Sequence, residues 1–102
     1  MRDMSLSERQ KKHLRRLAHS LSPLVMLGSA GLTDGVAQEL DRALGDHELV
    51  KVSARVGARD DRNRVLAELA GRTGSELVQR VGNVGVFYRR RAELAKIVIP
   101  DE

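Results

Sequence analysis

Apolar side chains near the start of the chain follow a helical spacing. They recur at i, i+3, i+4 and i+7, at Leu14, Leu17, Ala18 and Leu21, which is the pattern of a helix with one buried face. Ser5 and Ser7 each stand three residues before Glu8 or Gln10, so either serine fits the capping box that begins a helix. Pro23 marks the exit from this helix.

The apolar pattern then predicts two strands. Leu24 to Leu27 is a short apolar run bounded by Pro23 and Gly28, and we interpret it as a strand. Further along, strict alternation predicts a half-buried strand. Its buried side would carry Val50, Val52, Ala54 and Val56, and its exposed side Lys51, Ser53 and Arg55.

Helical spacing returns twice more. One helix opens near Thr33, carries the stripe Val36, Leu40, Ala43 and Leu44, and has Gly45 where a C-cap glycine is expected. The other carries Val65, Leu66, Leu69 and Ala70, with Gly71 or Gly74 near its end. Leu77 to Val81 and Val84 to Tyr88 are then predicted to be antiparallel strands, because Gly82-Asn83 between them is a two-residue hairpin signal.

The predicted order is therefore α-β-α-β-α-β-β. Helices that alternate with strands favour crossover connections, so we expect a single compact α/β domain with a mixed sheet of about four strands. Residues 6–89 would form its core and residues 90–102 a tail. Within the tail, Ile97-Val98-Ile99 would add an edge strand or simply pack.

Composition narrows the class of protein. The chain has 102 residues and no cysteine, which excludes disulfides and cysteine-based zinc sites. It has no apolar run near the roughly 20 residues that span a bilayer, and its start is polar where a signal peptide would be apolar. We therefore expect a soluble cytoplasmic protein. Phe87 and Tyr88 are its only aromatic residues, which leaves few rings for stacking on bases.

The net charge of +4 is concentrated at one end of the chain. Residues 1–22 hold six basic and two acidic side chains, whereas basic and acidic side chains balance over the remaining residues. Most of these cations fall on the first predicted helix, at Arg9, Lys11, Lys12, Arg15 and Arg16. Such asymmetry indicates a polyanionic partner, either a nucleic acid or an acidic membrane surface.

A short glycine-framed loop, Gly28-Ser29-Ala30-Gly31, joins the first predicted strand to the second helix. Glycines let a backbone approach a ligand closely, and the N-terminus of the following helix favours anions. A GxxG loop alone is also what a tight strand-to-helix turn requires, so both interpretations stay open at this point.

Catalysis finds little support. The loop lacks the Lys-Ser/Thr pair of a Walker A motif and does not spell G-x-S-x-G. His13, His19 and His47 lack the spacing of a helical metal pair, and we interpret Asp60-Asp61 as a cap and turn. We expect no enzyme activity, cofactor, metal or small-molecule substrate. A membrane-surface helix is a further alternative, although the first helix has no Trp or Phe to anchor at an interface.

Four segments in order resemble the CRM domain, the chloroplast splicing and ribosome maturation module. They are LRRLAHSLSPLVMLG from Leu14, GSAGLTDGV from Gly28, HELVKV from His47 and VGVFYR from Val84. The resemblance runs from about Leu6 to Arg89 and is nearest to the stand-alone bacterial YhbY type.

This resemblance implies an RNA-binding α/β domain similar to the C-terminal domain of bacterial translation initiation factor three. It also implies association with ribosomal RNA in precursors of the large ribosomal subunit, through the residues Gly28, Ser29, Ala30 and Gly31 beside the basic helix. Family loops often carry a basic residue between the glycines, whereas this chain has Ser29 and Ala30, so attraction would come from neighbours such as Lys12, Arg15 or Arg16. His47 and Glu48 would simply lead into a strand, and Arg89 to Arg91 would either extend the basic surface or be solvated.

Overall fold

The computed structural model describes residues 6–55 and 57–90. Its elements follow the predicted order: α1 (Glu8–Ala18), β1 (Pro23–Leu27), α2 (Asp34–His47), β2 (Leu49–Ala54), α3 (Arg59–Thr73), β3 (Glu76–Val81) and β4 (Val84–Tyr88). The strands form one four-stranded sheet in the order β1-β2-β4-β3. β1 lies parallel to β2, and the other neighbours are antiparallel. The predicted α/β class with a mixed sheet is confirmed.

Helix α1 begins at one of the two serines predicted. The Ser7 hydroxyl accepts the Gln10 N–H at 3.1 Å, and the Gln10 side-chain oxygen accepts the Ser7 N–H at 2.9 Å, which completes the capping box. The predicted apolar stripe is only half right. Leu14 and Ala18 are buried, but Leu17 and Leu21 remain 40% and 39% exposed. Leu21 lies beyond the end of the helix, and Leu17 lies outside the strip of α1 that packs on β2, β3 and β4.

The prediction for strand β2 is right for its buried side, where Val50, Val52 and Ala54 are 0% exposed, but wrong for Ser53 on the other side. α2 and α3 pack on one face of the sheet around Val50, Val52 and Phe87, while α1 packs on the other face around Leu49 and Tyr88. Even Ser53, on the side predicted to face solvent, is only 6% exposed. A central strand between two helical layers is buried on both faces, whatever the polarity of its alternate residues. Val56 lies outside the described residues.

The predicted C-terminal end of α3 is correct, whereas that of α2 is not. α2 begins after Thr33 as expected, but it continues past Gly45 and ends at His47. The reversal falls instead on buried Glu48, which has φ 65° and whose N–H donates to the Leu44 carbonyl at 2.9 Å. The Glu48 carbonyl accepts the Arg89 N–H at 2.9 Å, which fixes this residue in place. α3 ends at Thr73 and is capped by Gly74, one of the two glycines predicted, which has the left-handed conformation.

Arg89 joins the helices behind the sheet and does not extend a basic surface. Its guanidinium donates to the Asp41 carboxylate at 2.7 Å, to the Asp41 carbonyl at 2.9 Å and to the Thr73 carbonyl at 2.8 Å. It therefore ties α2 to the C-terminal end of α3. Arg90 is exposed, and Arg91 and Ile97-Val98-Ile99 lie outside the described residues.

We expect Arg89→Ala to lower the free energy of unfolding by about 1–3 kcal/mol, because it removes charge-assisted hydrogen bonds and leaves their carbonyl partners unpaired. Arg90→Ala is the matched control, with a change within about 0.5 kcal/mol. Urea unfolding followed by circular dichroism measures both. Equal midpoints for the two variants would show that the Arg89 network contributes nothing to stability.

Candidate nucleic-acid interface

The GxxG loop forms a closed turn at the carboxyl end of β1. The Gly31 N–H donates to the Gly28 carbonyl at 3.0 Å, which leaves Ser29 and Ala30 exposed at the tip. Gly31 has φ 75°, in the region that favours glycine, whereas the φ of Gly28 is not positive. The fold therefore requires glycine at only one of the two positions.

Gly28 has no structural need to be glycine. A Cβ built on it would meet nothing within 4 Å, and its backbone conformation does not exclude a side chain. A missing side chain that neither packing nor conformation demands leaves the backbone open to close approach from outside. The fold itself therefore does not account for glycine at position 28.

The N–H groups at the tip are also available. Among the described residues, the N–H groups of Ser29 and Ala30 donate to no other group. The start of α2 is more occupied, because the Thr33 hydroxyl accepts the Val36 N–H at 3.2 Å and Asp34 lies in the first turn. At this end of the molecule, the loop tip therefore offers N–H donors that are not used within the described residues.

Arg55 is a basic residue that lies beside the loop, a position that the sequence did not indicate. Its N–H donates to the Leu27 carbonyl at 2.9 Å, so pairing with β1 extends one residue past β2 and places the Arg55 backbone beside Gly28. Its side chain is exposed. The alternation that placed Arg55 on a solvent-facing side was a usable signal, but only the parallel register of β1 and β2 shows that it neighbours the loop.

The basic residues of α1 divide into two groups. Arg9, Lys12 and Arg16 are exposed, while Lys11 and Arg15 are half buried along one flank. Within the described parts of the chain, the one carboxylate near them is Glu8, at 3.9 Å from Lys11. Elsewhere, three arginines are tightly paired: Arg64 with Asp61, Arg72 with Asp34 and Arg89 with Asp41, at 2.6 to 2.7 Å.

A groove of about 320 Å³ lies where α1 meets the sheet. Arg15 and His19 form one side, and Lys51 of β2 forms part of the other. The Lys51 ammonium donates to the Leu21 carbonyl at 2.9 Å, which fastens the α1–β1 connection to the sheet. Arg15 and Lys51 thus line the same groove, which the sequence did not indicate.

Both aromatic rings are withdrawn from the surface. Phe87 and Tyr88 are 0% and 5% exposed. Burial raises the pKa of the Tyr88 phenol, and the neighbouring Glu48 carboxylate raises it further, so the phenol stays neutral at physiological pH. No group of metal-ligating side chains occurs within residues 6–55 and 57–90. None of the helices there is long and apolar enough to cross a membrane.

Residues 6–89 match the model of the CRS1/YhbY (CRM) domain. The chain belongs to the CRM family. The match spans α1, the GxxG loop, the whole sheet and Arg89, so the family assignment covers every feature of the candidate interface described above.

Relatives of this CRM domain include bacterial proteins named for RNA binding. A probable RNA-binding protein of Pseudomonas aeruginosa is 44% identical over 87 residues, covering 85% of this chain and 84% of that protein. A probable RNA-binding protein of Bacillus subtilis is 36% identical over 95 residues, covering 93% of this chain and 99% of that protein. The solution structure of a hypothetical Staphylococcus aureus protein, a candidate for RNA binding, superposes with a TM-score of 0.82 at 34% identity, over 94% of this chain and 100% of that one.

The loop glycines of this CRM domain should respond differently to alanine. Gly31→Ala should destabilise the fold by about 1–2 kcal/mol, because an L-residue at positive φ is strained. Gly28→Ala should be neutral or stabilising by up to about 1 kcal/mol, because it restricts only the unfolded chain. Urea midpoints of the two variants test this difference. An equal loss of stability in Gly28→Ala and Gly31→Ala would show that the turn requires glycine at both positions.

Proposed function

We propose that this CRM domain binds structured RNA through the basic face of α1 and the GxxG loop. One observation carries the proposal. The cations of α1 lie exposed or half exposed, with Glu8 the one carboxylate within 4 Å of them among the described residues. In Lys and Arg against Asp and Glu, α1 carries five basic and one acidic side chain, whereas α2 carries one and four and α3 carries four and three. An unneutralised row of cations on one helix is the electrostatic footprint of a polyanion.

Each part of the interface has its own role in this proposal. The N–H groups of Ser29 and Ala30 donate to one RNA phosphate, and the bare backbone at Gly28 admits it. Arg55 supplies the positive charge that the loop itself lacks. Arg9, Lys11, Lys12, Arg15 and Arg16 neutralise neighbouring phosphates and set the orientation of the RNA.

The RNA that we propose is ribosomal RNA in precursors of the large ribosomal subunit. The resemblance to stand-alone bacterial CRM proteins supports this assignment, and a cytoplasmic location accords with it. Sucrose-gradient sedimentation of a lysate, followed by blotting, would show the protein in the large-subunit precursor fractions. Treatment with ribonuclease should move it to the top of the gradient.

A protein-interaction or anionic-membrane module is the alternative, and exposed Leu17 and Leu21 beside the basic helix favour it. The two functions separate in one comparison. RNA binding requires no lipid, whereas membrane docking requires vesicles with anionic lipid. Binding to phosphatidylserine vesicles without measurable affinity for structured RNA would decide for the membrane.

Reversing one charge on α1 should weaken RNA binding. We expect Arg16→Glu to lower affinity for a structured RNA about tenfold, because an exposed cation that meets a phosphate becomes a repelling anion. The negative slope of log affinity against log salt should become less steep by about 0.7 to 0.9 for each phosphate that is no longer neutralised. Arg42→Glu is the matched control, since Arg42 is an exposed helical arginine on α2, behind the sheet. Fluorescence anisotropy over a salt series measures both variants. An equal fall in affinity for both would reduce the effect to net charge.

The loop is tested without touching its glycines. Ser29→Asp with Ala30→Asp should lower RNA affinity at least about tenfold, because the carboxylates repel a phosphate and accept the N–H groups that it needs. Ser29→Asn with Ala30→Asn is the control of the same shape without charge. The free energies of unfolding of both double variants should lie within about 0.5 kcal/mol of the parent value, since these are exposed turn substitutions. If the Asp pair binds RNA as well as the Asn pair does, no phosphate sits at this loop.

A further inference from the structure

The face of the sheet that carries α1 is not fully covered by it. Residues at one level of the sheet pair across all four strands: Met26 with Ser53, Ser53 with Val84 and Val84 with Val81. Because directly paired residues point to the same side of a sheet, these four form one line, here called the open row. Its outer members, Met26 and Val81, are 58% and 63% exposed, while Val84 is half buried and Ser53 is buried, so the row is open at its two ends.

The open row borders the groove described above. Val81 and Val84 of the row also line the groove, together with Arg15, His19 and Lys51. No carboxylate of the described residues lines it, although the chain as a whole carries 14 acidic residues. A largely apolar floor with basic side chains at its rim matches a ligand that combines flat apolar groups with negative charge.

The row also lies beside the proposed phosphate site. Met26 is two residues before Gly28, and Ser53 is two residues before Arg55. A nucleotide chain with one phosphate at the loop would therefore continue along the row or the basic helix. The polar edge of a base would meet the half-buried Gln79 in the groove.

From this placement we propose that the open row and its groove hold unpaired RNA bases next to the phosphate contacts. The inference rests on the proposed function and makes it narrower: the preferred RNA has single-stranded nucleotides adjoining a structured part. With both aromatic rings buried, the stacking surfaces are the Arg15 guanidinium, whose planar cation stacks on bases, and the polarisable Met26 thioether.

The test separates bases from phosphates. One probe is an RNA hairpin with a 3′ overhang of four adenosines, and the other is the same hairpin with four abasic riboses in the overhang. Both carry the same number of phosphates. Full-length protein should bind the adenosine probe about fivefold or more tightly than the abasic probe, because stacked bases add affinity that phosphates do not.

Two sets of variants locate the base-dependent part. Met26→Ser with Val81→Ser changes only exposed side chains, so it should fold, and it should bind both probes with the affinity that the parent has for the abasic one. Arg15→Lys keeps the charge but removes the planar fork, so it should reduce the preference for bases. Arg42→Lys, at an exposed arginine of α2 behind the sheet, is its matched control and should keep the preference. Circular dichroism shows that each variant is folded.

The outcomes distinguish this inference from the function on which it rests. Equal, tight binding of both probes by the parent protein would overturn the base site and leave phosphate binding in place. Binding of neither probe at low salt would overturn RNA binding itself. Concentration-dependent dimerisation that Met26→Ser with Val81→Ser abolishes would assign the open row to a second copy of the chain and overturn the base site.

Discussion

The burial of β2 on both faces is the constraint on which the rest of the structure depends. β2 pairs in parallel with β1 and antiparallel with β4, and helices cover it from both sides. Its end therefore fixes the end of β1, and with it the position of the GxxG loop. The Arg55 N–H that bonds the Leu27 carbonyl is the last link of this ladder. The loop is held by the best-buried strand of the molecule, although the loop itself is exposed.

The two faces of the sheet differ in how their charges are used. Behind the sheet, Arg89 and Arg72 are bound to Asp41 and Asp34, and they join separate elements of the fold. On the α1 side, described cations such as Arg16 have no such partner. The exposed Arg72–Asp34 pair contributes little to stability, whereas Arg89 also bonds two backbone carbonyls and is expected to stabilise the fold. The face with the row of α1 cations is the one that also carries the groove and the open row.

Incomplete coverage by α1 gives that face its mixed character. A helix of 11 residues packs on β2, β3 and β4, and Leu24 and Met26 of the edge strand β1 stay 53% and 58% exposed. Exposed apolar residues grouped beside cations are typical of interaction surfaces and not of a bare solvent-facing sheet. The part of the sheet that α1 leaves uncovered thus decides which side chains stay exposed on this face.

The sequence by itself determined the order and type of the elements, because spacing, caps and turn residues act locally. The Ser7 cap, the Thr33 cap, the Gly82-Asn83 hairpin and the concentration of charge on α1 are of this kind. Only the tertiary structure decided the features that depend on neighbours distant in the chain. It buried Ser53, moved the end of α2 from Gly45 to Glu48, used Arg89 in the scaffold and placed Arg55 beside the loop. No local pattern encodes which strand lies next to which, and that pairing determines which cations are free to bind and which are already bound.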